Sequence, residues 1–242
     1  MKSQTNYDEQ WLTLDDFIRY NPGARHRRRI CKRILRSLRF SSLLDVGCGN
    51  GTLIREILDL SPAKISAIGV DVAASIVEKN KARVPDAGFR QLDIEVEALG
   101  EHFDMIVCSE VVEHLNDRGR AFRNLATMLT AGGHLLVTCP TGHVYDTERH
   151  FGHVSHPTMD ELVHLGGENN LSLVLSQNWG WPAYALLKFV GNLDSEWALK
   201  EFAGGGYSWP KRVVCHVLYL LNFLNVPDSK RGCQLFALFR KE

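Results

Sequence analysis

Short β-branched runs alternate with stretches of helical periodicity along most of the chain, a pattern that predicts a parallel sheet covered by helices. Seven runs read as strands: "SLLDVG", "KISAIGV", "FRQLD", "FDMIVCS", "GGHLLVTCP", "LSLVLSQ" and "CQLFALFR". Helical spacing of apolar positions falls at residues 8 to 20, 24 to 39, 51 to 59, 73 to 83, 117 to 129 and 158 to 165. No internal repeat or low-complexity linker interrupts the alternation. The second helical segment, "ARHRRRICKRILRSLRF", sets Ile30, Ile34, Leu35 and Leu38 on one side and arginines on the others. Its apolar stripe is expected to pack on the sheet while its charges face water. A patch for an anionic ligand such as RNA or a phosphorylated lipid is the sharper alternative for those arginines.

Composition narrows the picture. A chain of 242 residues, 45% hydrophobic and 23% charged, supports one sizeable core. The expectation is a single domain over 1–242, with an N-terminal helical segment at 1–39 and an insertion at 179–231. Lys plus Arg balance Asp plus Glu at 28 each, so no net field argues for nucleic acid or an acidic partner. The six cysteines are scattered without a CxxC pair, which points to reduced thiols in a cytoplasmic protein. The N-terminal residues are polar and lack the apolar run of a secretory signal. The longest apolar stretch, "VVCHVLYLLNFLNV", is too short for a membrane span. A soluble protein is expected, and nothing in the composition sets its oligomeric state.

Candidate chemistry begins where the first strand runs into "LLDVGCGNGTL". Gly47, Gly49 and Gly51 fall on a strand-to-helix turn, where glycine lets backbone approach a ligand and leaves helix N-terminal amides available. The spacing GxGxG departs from the dinucleotide fingerprint GxGxxG, which argues against a nicotinamide cofactor. Asp71 ends the second strand and can accept hydrogen bonds from both ribose hydroxyls of an adenosine. Asp93 ends the third, where a carboxylate can meet an adenine amino group. Either aspartate alone could equally be a helix cap.

With "LDVGCGNG", "GVDVAAS", "LDIE", "FDMIVCSEVVEHL" and "GGHLLVTCP" in this order, residues 40 to 180 resemble the class I S-adenosylmethionine-dependent methyltransferases. The resemblance implies an α/β, Rossmann-like, seven-stranded and mostly parallel sheet in the order 3-2-1-4-5-7-6. Its last strand is antiparallel, helices cover both faces, and an aromatic-rich insertion precedes that strand. It places Asp45, Gly47 and Gly49 beside the methionine part of S-adenosyl-L-methionine, Asp71 at the ribose, Asp93 and Ile94 at the adenine, and Ser109 near the sulfonium. Val72 is also counted among the cofactor-binding residues. "NPGAR" and "CSEVVEHL" look like the ubiquinone-biosynthesis O-methyltransferases, in which an Asn-Pro segment precedes an arginine at the cofactor. Arg25 is the corresponding candidate, and one extra residue after Pro22 leaves His26 or Arg27 as alternatives.

"CSEVVEHL" sets Glu110, Glu113 and His114 within five positions, and a helix there would bring all three to one face. The loop "DTERHFGHVSHPTMDEL" adds His150, His153 and His156 at the same sheet edge. Small-RNA 2'-O-methyltransferases bind magnesium with a similar Glu-x-x-Glu-His face and one loop histidine, whose position His153 matches best. That resemblance implies Glu110, Glu113, His114 and His153 as candidate ligands for magnesium or manganese. Without a metal, the cluster bonds the backbone or positions a substrate, and His114 and His153 are the candidate bases for a hydroxyl acceptor, because imidazole titrates near neutral pH. The insertion concentrates Trp179, Trp181, Tyr184, Trp197, Tyr207 and Trp209, which suits a lid over an apolar or sugar-like acceptor, or else its own small core or a dimer contact.

The function expected is methylation of a hydroxyl on a small molecule or on a glycan or lipid intermediate. The alternatives are metal-assisted methylation of an RNA ribose and a non-catalytic cofactor-binding interaction protein.

Overall fold

The computed structural model describes residues 8, 14–60 and 64–242. Along the chain run α1 (Asp15–Tyr20), α2 (Pro22–Leu35), β1 (Ser42–Val46), α3 (Thr52–Leu58), β2 (Ser66–Asp71), α4 (Ala74–Arg83), β3 (Gly88–Gln91) and β4 (Phe103–Ser109). There follow α5 (Arg118–Thr127), β5 (Leu129–Pro140), α6 (Asp146–His150), α7 (Met159–Gly167) and β6 (Leu171–Trp179). The insertion supplies α8 (Ala183–Gly191), α9 (Ser195–Phe202) and α10 (Trp209–Leu221) before β7 (Gln234–Lys241) closes the sheet.

The seven strands pair in the order β3-β2-β1-β4-β5-β7-β6, as the resemblance implies. All neighbours are parallel except β7, which runs antiparallel to both β5 and β6. Successive strand side chains point to opposite faces, so the central strands feed two cores. Leu44, Ile106, Leu135 and Phe239 line one face with Phe122 and Leu125 of α5. Leu43, Met105, Leu136 and Leu238 line the other with Ile30 and Ile34 of α2 and Ile54 and Ile57 of α3. Both cores sit beneath the carboxyl ends of β1, β2 and β4, which fixes the site described below.

Three readings of the sequence change. The helix over 8 to 20 is described from Asp15 onward, and most of its first half lies outside the described residues. The basic helix begins earlier, at Pro22, because Asn21 accepts a hydrogen bond from Ala24 N at 2.9 Å and proline fits the first turn. Its charges do not all face water. Arg27 pairs with Glu110 at 2.9 Å, Arg28 with Glu56 at 3.1 Å, and Arg33 donates to Gln177 Oε1 at 2.8 Å.

Candidate active site

The glycine turn after β1 is built by backbone demands. Gly47, Gly49 and Gly51 all have positive φ, at 67°, 50° and 70°, a region that side chains with a Cβ rarely enter. A Cβ on Gly47 would meet Val111 Cγ2 at 2.3 Å, so the turn after β1 lies directly against the segment that follows β4. Asp71 fixes the turn from β2: its Oδ2 accepts from Gly49 N at 2.9 Å and its Oδ1 from Ala73 N at 3.0 Å. Burial raises the Asp71 carboxyl, and these backbone donors pull it back down. Burial, and next the neighbouring Asp71, push Asp45 up to about 8. The turn therefore gathers two buried carboxyls, Asp45 and Asp71, beside a glycine backbone, a set that suits a cationic, ribose-bearing cofactor.

Asp71 thus holds the loop. Asp71→Ala is expected to lower unfolding free energy by about 1–3 kcal/mol, because two buried backbone donors lose their acceptor. Chemical denaturation measures this, and an unchanged midpoint would show that the turn does not depend on the carboxylate.

The remaining cofactor candidates spread along the same edge. Asp93 Oδ1 accepts from Glu95 N at 2.9 Å and so caps its own turn. Ile94 is buried in the core, whereas Val72 is exposed. Ser109 hydrogen-bonds Thr138 across β4 and β5 at 2.8 Å. Arg25 lies over the Tyr219 ring at 3.7 Å and approaches His216 at 3.5 Å, so the structure places it against α10. His26 is buried, bonding Tyr219 O at 2.8 Å and stacking on Trp179. Arg27 is the residue of this group that reaches the end of β4.

The segment after β4 is a single turn, not a helix, which corrects the expectation for residues 110 to 115. Glu110 takes φ 60° and donates its N–H to Thr138 O at 2.9 Å, so the chain leaves the strand in a left-handed step that no helix can start from. The trio consequently divides. Glu110 pairs with Arg27 and accepts from Gln234 Nε2 at 2.8 Å and Thr138 Oγ1 at 3.3 Å. Glu113 and His114 gather with His153, while the Glu113 carboxyl still feels Glu110.

Ligand atoms of Glu113, His114 and His153 lie within 4.8 Å of one another, as do those of Glu148, His153 and His156. Val154 N donates to Glu113 O at 2.9 Å, which ties the loop after β5 to the turn after β4. The His114 and His153 rings meet edge to face with centroids 4.7 Å apart. His153 Nδ1 engages His156 Nε2 at 3.0 Å, and Lys188 from α8 binds Glu148 at 2.7 Å. His150 is exposed and stays outside the cluster.

Electrostatics follow burial. Glu113 is fully buried, neither carboxylate oxygen has a hydrogen-bond partner, and its carboxyl is held well above the usual range by burial and then by Glu110. Burial lowers His114 to about 4, opposed by its hydrogen bond to the Gly152 backbone. Burial, then His114 and His156, lower His153 to about 2. Near neutral pH both imidazoles are uncharged and weakly basic, so they can accept a hydrogen bond or hold a cation.

Sequence reasoning did not find Glu148 or Lys188. Glu148 carried one local sign, a position three residues after Tyr145 that lets its Oε2 accept from Tyr145 N at 2.9 Å at the start of α6. Lys188 carried none, because its contact spans the insertion. The aromatic set also splits. Trp179 and Tyr207 are buried, while Trp181, Trp197 and Trp209 are exposed.

Residues 44–135, from β1 to the middle of β5, match a family described as "Methyltransferase domain". Over this stretch the chain is similar to methyltransferase domains. Beyond it, similarity reaches a malonyl-[acyl-carrier protein] O-methyltransferase from Acetivibrio thermocellus, 30% identical over 142 residues, covering 55% of this chain and 49% of the relative. A ubiquinone biosynthesis O-methyltransferase from Coxiella burnetii is 36% identical over 106 residues, covering 41% of this chain and 43% of the relative. The chain thus spans about half the length of the curated relatives it matches. Among solved structures, the N-methyltransferase NodS from Bradyrhizobium japonicum, in complex with S-adenosyl-L-homocysteine, aligns with TM-score 0.58 at 22% identity, covering 94% of this chain and 90% of that one. An O-methyltransferase of a Brevibacillus brevis trans-AT PKS multienzyme aligns with TM-score 0.61 at 19% identity, covering 91% and 74%. At these identities the likeness concerns the fold alone.

Proposed function

We propose that the protein transfers a methyl group from S-adenosyl-L-methionine to a hydroxyl of a small molecule or of a glycan or lipid intermediate. The observation that carries this reading is the contact of Gly47 with Val111, which sets the glycine turn beside the strand end bearing Glu113 and His114. The two curated relatives are named for transfer to oxygen, which supports the acceptor class. When bound, the cofactor supplies an electrophilic methyl on a positive sulfur. The protein's work is then to align an acceptor lone pair behind it and to remove the acceptor's proton. His153 Nδ1 is engaged by His156, so Nε2 is the nitrogen it can offer to an acceptor, with His114 packed against it. Incubation of the protein with methyl-labelled cofactor and cell extract, read by mass spectrometry, tests the proposal. Labelled products are expected, and tight binding of NAD with no binding of S-adenosyl-L-methionine would overturn it.

A second reading concerns a divalent cation held by Glu113, His114 and His153, and the unpartnered buried oxygens of Glu113 favour it. Glu110 is engaged by Arg27 and Gln234, which leaves one carboxylate with two imidazoles. That donor set suits manganese better than magnesium. An ion there would lower the pKa of a hydroxyl acceptor. On this reading chelator abolishes turnover and manganese restores it, whereas full activity in chelator with no ion in the purified protein removes it.

A further inference from the structure

The contact between α2 and α10 concentrates one sign of charge in a chain whose net charge is zero. No Asp or Glu occurs between Asp16 and Asp45, or between Glu201 and Asp228. Several basic residues of these stretches are neutralised by Glu110, Glu56 and Glu201. Three are not. Arg25 lies over Tyr219 at 3.7 Å, Arg29 over Phe223 at 4.6 Å and Arg212 over Tyr20 at 5.2 Å. None of the three makes an ion pair with a carboxylate among the described residues.

The helix beside them is inverted relative to an ordinary surface helix. Its end turns polar groups inward: Asn222 and Asn225 are buried, and Asn225 accepts from Tyr184 N at 3.0 Å. Outward it presents Val213, Val217, Leu220, Leu221 and Leu224, spaced to form one stripe and between 42% and 69% exposed. Trp209 opens the helix at 76% exposure, next to Lys211 and Arg212. A soluble surface gains nothing from such a stripe, and a contiguous one marks a surface that is covered.

We infer that this face docks on a membrane surface containing anionic phospholipid. Apolar side chains entering the acyl boundary, a tryptophan at headgroup level and unpaired arginines beside it are the combination that holds a helix in the plane of a bilayer. No helix among the described residues is long and apolar enough to cross one, so the docking is peripheral. A second copy fits less well. A two-fold contact would set two copies of this arginine-bearing face against each other, with no acid in either segment to offset them. The inference concerns a surface outside the proposed site and stands whether or not the proposed reaction is right.

Co-sedimentation with vesicles of phosphatidylcholine alone, and of phosphatidylcholine mixed with phosphatidylglycerol, tests it with the full chain. Binding to the mixed vesicles is expected, weakening as salt is raised. Leu220→Asp and Leu224→Asp are each expected to lower partitioning roughly tenfold or more, since each removes a buried leucine from the boundary. Arg29→Ala is expected to lower it by about fivefold. These side chains are exposed, so melting temperature and cofactor affinity should not move, which separates lost docking from lost folding. Equal partitioning into both vesicle types, or partitioning untouched by the leucine variants, would overturn the inference. A concentration-dependent dimer that Leu224→Asp dissolves, in a protein that ignores vesicles, would overturn it in favour of a second copy.

Discussion

His153→Ala is expected to lower turnover by roughly 10²-fold, the low end of what a positioned proton acceptor contributes because burial makes this imidazole a weak base, while cofactor affinity stays unchanged. The separation follows from position. His153 rises from the loop after β5 and meets His114 and His156, whereas Asp71 of β2 holds the glycine turn. The pH profile carries the sharper part of the prediction. Burial lowers His114 to about 4 and His153 to about 2, so both stay neutral through the range in which an ordinary imidazole would protonate. Turnover should therefore be flat from neutral pH down to about pH 5 and fall only in stronger acid. A purely structural His153 would lose stability and rate together, so the melting temperature of the variant is the control. Wild-type activity halved near pH 6.5 would show that the catalytic imidazole is not in this buried cluster.

The parts of this molecule that could be read in the sequence are those whose cause is local in the chain. Strands β1, β4 and β5 carry β-branched and aliphatic residues on both faces because helices cover both sides, and that continuous apolar signal needs no tertiary knowledge. Glycines at 47, 49 and 51 announced positive φ by their identity. The pairing of Glu113 and His114 with His153 was legible because β4 and β5 are adjacent and parallel, so the segments after them meet at one edge. Glu110 was misplaced for a tertiary reason. Its backbone bond to Thr138 and its pairing with Arg27 of α2 override the helical reading of "CSEVVEHL", and neither partner is near it in sequence. The insertion was read as an aromatic lid without helices. Val213 and Val217 face out while Cys215 faces in, so apolar residues on both sides of α10 erase the period that would have marked it.

Asp45 is expected to make both folding and cofactor binding depend on pH, in opposite senses. Burial, and next Asp71, raise its carboxyl from 3.8 to about 8. Between those values the folded chain keeps a proton that the unfolded chain has released. Stability should therefore fall as pH rises from about 4 to about 8, by an amount of order 5 kcal/mol for a shift of this size. Asp45→Asn removes the titration, so the variant should lose that slope and be more stable than the parent at pH 8. Binding runs the other way. Under the proposed function the cofactor brings a sulfonium and an ammonium to the glycine turn, and a nearby cation favours the ionised carboxylate. Binding should release the proton, and affinity should climb by up to about tenfold per pH unit below 8, levelling off above it. Asp45→Asn should bind more weakly and with affinity independent of pH, so one substitution stabilises the free protein while it impairs the site. Calorimetry in buffers of different ionisation enthalpy counts the released proton directly. A parent protein that binds with pH-independent affinity and releases no proton would detach Asp45 from the cation, and the stability slope would then belong to burial alone.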